Sequence, residues 1–507
     1  SSLYIVTGSV MVNEGVTLTI EAGVEVKFDA EESILIAGTL IAQGTSNDSI
    51  TFTSNQTLPT EGDWGWIKFA STSVDALYDN DGNYLSGSIL EYCNVKYGGG
   101  VDNDPGHKNG VLFLDDAHPY INNCLIHNNK HSGIYAKDFT STIKIVNTTI
   151  SHNGLVNSLW GGGMLARGNN GTVLIDNCII SYNSASRGGG VEIYNSTSTI
   201  SNSTISNNSA TQVNYGGGGI LISSGTAIIS NNIVKNNAGS GYYGGGGILI
   251  EGATATISNN IIKENTMSMS DAIGSGIGLD NSNSTISQNI ILGNSTTNQS
   301  PGGGIGILNG THIIQNNIIA DNTTSCKYCD WADGGGGIYS NNAETTIEYN
   351  FIYNNTSTYV VSGYSNSGHQ GSAIWFYNNS STPNINYNTI LGNTITGANP
   401  QLYSTVYIRE NINGLNYNNI YDNATSYELN YANTSGGLNA ENNWWGTTSE
   451  LDIQQTIYDY YDNFSSGIVD YDPYLTTPDT DAPISPPANV AKQISGSDVI
   501  LTWDANP

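Results

Sequence analysis

With 507 residues, 60 glycines, 11% charged residues and a formal net charge of −29, the chain is glycine-rich, sparsely charged and acidic. That charge opposes nucleic acid and anionic membrane as partners, and only 14 lysines and arginines limit any grip on acidic polymers. No apolar run approaches the ~20 residues that a transmembrane segment needs.

The chain opens Ser1-Ser2 with no methionine and no signal peptide, which reads as a processed or truncated start. Residues 1–62 then alternate in short apolar bursts, such as Val16, Leu18, Ile20 and Val24, Val26, Phe28. Turn residues Asn13-Glu14-Gly15 and Ala22-Gly23 separate them, so these are opening β coils.

From Leu90 to Trp445 one pattern recurs about thirteen times, and Ile257–Asn265 is its clearest copy. A first column runs Cys93, Cys124, Thr148, Cys178, Ser203 and Asn232, then Asn260 and its successors to Asn443. A second, five residues later, is asparagine from Asn129 to Asn423. Apolar residues frame both, as Ile257 and Ile262 do around Asn260. A third apolar column follows each glycine run, for example Ile220, Ile248 and Ile277. One period spans 24 to 38 residues and holds three segments too short and too β-branched for helices. Three strands per turn, stacked in register, make an all-β right-handed parallel β-helix. The asparagines are expected to form ladders of side-chain amides that satisfy each other along the stack.

Between coils the sequence varies. Asp79, Asp81 and Asn83 in the insertion 71–87 alternate oxygen ligands as a calcium loop does, so calcium is the one cofactor suggested. The loop lacks the glycine and distal glutamate of an EF-hand, and an acidic turn explains it as well. Loops leave each coil after the second asparagine column and emerge along one edge. Several carry rings near re-entry: Trp160, Tyr215, Tyr242, Tyr243 and Trp331. Such rings beside polar residues could bind a polysaccharide or cell-surface glycan, or simply cover glycine-rich backbone. The glycine runs lack the Lys-Ser/Thr of a phosphate loop, so positive φ and close backbone approach explain them better.

Cys93 and Cys124 occupy the ladder column in adjacent coils, as a disulfide or as stacked thiols. Cys178 is too far to bridge. Cys326 and Cys329 form a loop pair read as a local disulfide, which suits an extracellular or cell-surface protein.

Gly15–Phe28 resembles the N-terminal coils of secreted bacterial and archaeal β-helix proteins of the pectate-lyase-like superfamily, most often its cell-surface branch. Asn442–Gly446 and the rings up to Leu475 are similar to the C-terminal cap of that group. Pro486–Val490 and Val499–Trp503 resemble the first two strands of a fibronectin type III domain, a β-sandwich that residue 507 cuts short. The divisions are therefore opening coils 1–62, main β-helix 63–448, cap 449–475, linker 476–485 and a truncated fibronectin-like segment 486–507.

Polysaccharide lyases of this superfamily pair calcium with an Arg or Lys base. Lys137 and Arg167 follow Ile134 and Met164 by three residues, so they stack on adjacent coils near Asp115 and Asp116. They are the candidate catalytic pair of a lyase, or a surface salt-bridge cluster. No Gly-His-Gly or Arg-x-Lys of a galacturonase-like hydrolase occurs in this frame. The leading expectation is a non-enzymatic stalk, adhesin or filament subunit, with a homopolymer as one form. The alternative is a calcium-dependent polysaccharide lyase or another carbohydrate-active enzyme.

Overall fold

The computed structural model describes residues 2–101, 110–154, 160–211, 216–241, 244–268, 273–297, 301–326, 334–359, 370–377, 383–397, 403–409, 411–434, 436–484, 491–495 and 498–502. Across the repeat region the chain is an all-β, right-handed parallel solenoid of about 13 turns. Among the described residues its one helix is the short Glu450–Thr456.

Each coil turns on two adjacent residues with opposite tasks. The residue before each ladder asparagine has positive φ, as at Asn259 (φ 57) and Glu264 (φ 56). This left-handed kink bends the strand and turns the next side chain inward. That next residue, Asn260 or Asn265, is buried and joins the ladder. The Asn265 backbone N–H and Nδ2 both donate to Asn294 Oδ1 at 3.0 Å, and Nδ2 also donates to Val234 O at 3.0 Å. The second ladder repeats this from Asn129 to Asn393, and Asn423 ends it against Glu428. The first ladder pairs Cys124 with Thr148 and Cys178 with Ser203, then runs in asparagine from Asn232 to Asn443. No amide in either ladder is left facing an apolar core without a partner.

The strand between the two ladder positions builds a fifteen-stranded parallel sheet, from Leu3–Val6 to Asn419–Tyr421. At ~4.8 Å per strand it is about 70 Å long. From Val26 onward its central inward residue is apolar in each coil. Val95, Ile126, Ile205, Ile262, Ile319 and Ile420 are each at 0% exposure. Burying each contributes about 2 kcal/mol, and the stack turns thin individual coils into one continuous core.

A larger sheet forms the other walls. In the middle coils single strands of 11 residues, such as Ile220–Ser230 and Ile248–Ser258, run through two walls. They kink at a left-handed residue, Ser224 and Gly252 respectively.

Three elements differ from the sequence expectation. The stretches read as loop starts, Ser209–Ala210, Ala238–Gly239 and Thr266–Met267 among them, are strands of an eight-stranded ladder. Small residues with no periodicity hid them. Residues 77–86 form an antiparallel hairpin, Leu77–Tyr78 against Tyr84–Ser86. In the cap region, Ser449 caps the Glu450–Thr456 helix, which seats Ile453 at 0% exposure beside a core holding Tyr431 and Trp445.

Candidate functional site

The strand after each glycine run presents two outward files. One is Phe113, Tyr135, Leu165, Glu192, Leu221, Leu249, Gly278, Gly306, Tyr339, Trp375 and Tyr407, paired in register. Most of these point away from the core yet are buried: Leu165, Leu221 and Leu249 at 0%, Tyr339, Trp375 and Tyr407 at 3%. A second apolar layer therefore lies outside the β-helix wall. Sequence reasoning missed it, although Ile220-Leu221-Ile222 and Ile248-Leu249-Ile250 break strict alternation, the sign of a strand buried on both faces. Backbone occupies the place of a side chain at Gly278, from 244–245 and Ile273, and at Gly306, from 273–274: a Cβ on Gly306 would sit 2.4 Å from Gly274 N.

The second file holds the charged chemistry: Asp115, Lys137, Arg167, Tyr194, Ser223, Glu251 and Asp280 on successive coils. Lys137 and Arg167 are paired in register, as their spacing requires. Both are engaged. The Lys137 ammonium lies 3.4 Å from Asp115 Oδ1, and Lys68 holds the other oxygen at 2.9 Å. The Arg167 guanidinium sits 5.3 Å from the ring centres of both Trp160 and Tyr194. Trp160 also carries Arg187 at 4.5 Å and packs on the Phe113, Tyr135 and Leu165 cluster. Cations over its ring hold the indole in place.

Next to this pair lies an ion cluster that the sequence reading did not single out. Glu192 interrupts the apolar file at 0% exposure. Arg187 Nε lies 3.3 Å from Glu192 Oε1, and its Nη2 lies 3.6 Å from Glu251 Oε2. Ser223 Oγ donates to the same Glu251 oxygen at 2.8 Å. Burial pushes the Glu192 carboxyl up to about 7 against the pull of Arg187 and Arg167. Burial, with Glu251 adding to it, raises Asp280 to about 6. Carboxylates titrating there could serve as acid or base. Glu192, however, is fully enclosed and salt-bridged, which is the arrangement of a structural ion pair. Arg187, to which the sequence reading gave no role, is its centre.

The model of the right handed beta helix region matches residues 67–185 and 141–323, together just over half of the chain. That of the pectate-lyase like beta helix domain matches residues 1–113. The chain belongs to the right-handed β-helix family. No curated protein matches it.

The remaining candidates of this β-helix fall into two groups. Some are placed. The Asp79 carboxylate accepts from the Asp81 and Asn83 backbone N–H groups at 2.9 and 2.8 Å and from Asn83 Nδ2 at 2.9 Å. These bonds hold its carboxyl below the usual range and tie it into its own hairpin turn. Among the described residues no three His, Cys, Asp or Glu side chains gather as metal ligands. Cys93, Cys124 and Cys178 are free and buried, which resolves the first pair as stacked thiols. Cys93 Sγ and Cys124 Sγ each donate to a backbone carbonyl at 3.4 Å. Burial raises Cys93 well above a normal thiol and pushes Cys178 up to about 12. Others lie outside the described residues: Tyr215, Tyr242, Tyr243, Trp331 and Cys329, as does the side chain of Cys326.

Proposed function

We propose that this β-helix is a rigid, non-enzymatic rod of the extracellular space or cell surface, a stalk, adhesin or filament subunit that meets glycans along its loop edge. The observation that carries the reading is the engagement of both would-be catalytic bases. A lyase base must be free to take a proton. Lys137 is instead held by Asp115 and Arg167 lies against two rings. Two ladders of paired asparagines, continuous over many coils, support a mechanical role, because each rung is tied to the next by side chain as well as backbone. The antiparallel pair Ala491–Ser495 and Asp498–Thr502 supports a fibronectin type III module after the linker, as modular surface proteins carry.

Affinity electrophoresis against a panel of neutral and acidic polysaccharides tests the glycan arm. Retention that weakens in Trp331→Ala or Tyr243→Ala supports it, and no retention on any polymer removes it. Particle imaging tests the rest. Single stiff rods fit a stalk, end-to-end strings fit a homopolymer, and a flexible chain contradicts the proposal.

A further inference from the structure

Seven of the eight phenylalanines are buried, at 4% exposure or less, and the eighth, Phe464, is 79% exposed. It lies in the loop 459–468 after the cap helix, with Tyr461 at 70%, Tyr460 at 37% and Ile468 at 48%. Tyr460 joins the rings: its centre is 5.8 Å from that of Tyr461 and 5.3 Å from that of Phe464, both edge-on. Contiguous exposed rings, unlike a scattered apolar residue, mark an interaction site.

The loop holds these rings in place. Asp459, 5% exposed, accepts from the Tyr461 N–H through Oδ1 at 3.0 Å and from the Val469 N–H through Oδ2 at 2.9 Å. Asn463 N–H donates to Asp459 O at 2.9 Å, and Tyr460 N–H donates to Gly467 O at 3.0 Å. Gly467 N–H donates to Asn433 O at 2.6 Å, which ties the loop to the last coils. A partner therefore meets rings already fixed, and little ordering is lost on binding. The described linker leaves them uncovered, since Asp479 and Pro483 bond instead to Asn419 and Thr389 on earlier coils.

Charge selects the partner. Between Arg409 and Lys492 the chain has twelve Asp and Glu and no Lys, Arg or His. Asp462 lies between Tyr461 and Phe464 in the loop, and Asp470 faces outward two residues after Ile468; both are exposed. We propose that this loop docks a basic protein segment rich in Lys and Arg, whose cations lie over the Tyr461 and Phe464 rings and pair with Asp462 and Asp470. Ring face and carboxylate both attract a cationic side chain, whereas the carboxylates repel an acidic one. A second copy is opposed, because it would bring the Asp462 and Asp470 carboxylates of two chains together.

Fluorescence anisotropy of the full chain with labelled decalysine and deca-arginine, at about 0.15 M salt, tests the proposal. Tyr461→Ala with Phe464→Ala keeps the net charge and is expected to weaken binding roughly tenfold. Asp462→Asn with Asp470→Asn is expected to weaken it severalfold and to flatten its salt dependence. Tyr182→Ala, at a ring 53% exposed on a coil far from the cap, should leave it unchanged. Absence of binding overturns the proposal. So does equal binding by the ring variant, which means diffuse attraction to a chain of net charge −29. Retention of a neutral polysaccharide through the same rings, with no peptide bound, overturns it in favour of a sugar platform. A dimer that Phe464→Ala dissociates assigns the rings to a second copy and overturns it as well.

Discussion

The Asn260 side-chain amide donates to Asn289 Oδ1 at 3.0 Å, and the Asn260 backbone N–H donates to that same oxygen at 2.9 Å. One carbonyl therefore satisfies two buried donors of the coil before it. Asn289→Ala leaves the Asn260 N–H without an acceptor, while the Asn260 amide keeps Ile229 O and Ser258 O, and is expected to cost about 3 kcal/mol. Its kinked neighbour is a milder loss: Asn259→Ala keeps the ladder and adds only left-handed strain, about 1 kcal/mol. Denaturant midpoints of the two variants, measured side by side, check the ratio.

Arg187→Ala strands the Glu192 carboxylate inside the outer layer, and the expected cost is about 3–5 kcal/mol. Replacing both partners, Arg187→Met with Glu192→Leu, is expected to recover most of that loss. If the double variant is as unstable as the single one, Arg187 acts through something other than this pair. Lys137→Ala should cost under about 1 kcal/mol, since Lys68 still neutralises Asp115 at the surface.

Two buried groups give opposite pH dependence. His312, at 1% exposure, is lowered to about 4 by burial. The unfolded chain binds its proton first, so stability is full above about pH 6.5 and falls toward pH 4, by roughly 3 kcal/mol. Glu192 is raised to about 7, so its contribution is full below about pH 4.5 and is lost as pH rises through about 7. Unfolding curves across this range should flatten on the acid side in His312→Gln and on the neutral side in Glu192→Gln. Unchanged slopes in both variants would contradict these assignments.

The three ladder-column thiols are predicted to be silent. Cys93, Cys124 and Cys178 are buried, with Cys93 and Cys178 raised, so a thiol reagent should leave all three unlabelled in the native protein and label all three in denaturant. Native labelling of Cys124 would mean that the early coils open readily.

The repeat in Ile257–Asn265 was enough to read the coil, its ladders and its inward residues, because a buried amide ladder tolerates few residue types. The kink position was not legible. Asn259, His152, Tyr349 and Glu264 all adopt positive φ there, since the ladder residue after them dictates the bend whatever the side chain. The outer layer was partly legible: Leu221 and Leu249 break alternation, but Glu192 in the same file looks like any surface glutamate until its neighbours bury it. Lys137 and Arg167 were placed correctly on adjacent coils. Their engagement by Asp115, Trp160 and Tyr194 depends on contacts between coils and on a returning loop, which spacing alone does not reveal.

The most direct test of the central claim is turnover. Purified protein with calcium is mixed with neutral and uronate-containing polysaccharides, and unsaturated product absorbance and reducing ends are followed. The account predicts no product from any polymer. Product that disappears in Lys137→Ala or Arg167→Ala would contradict it and make this β-helix a lyase.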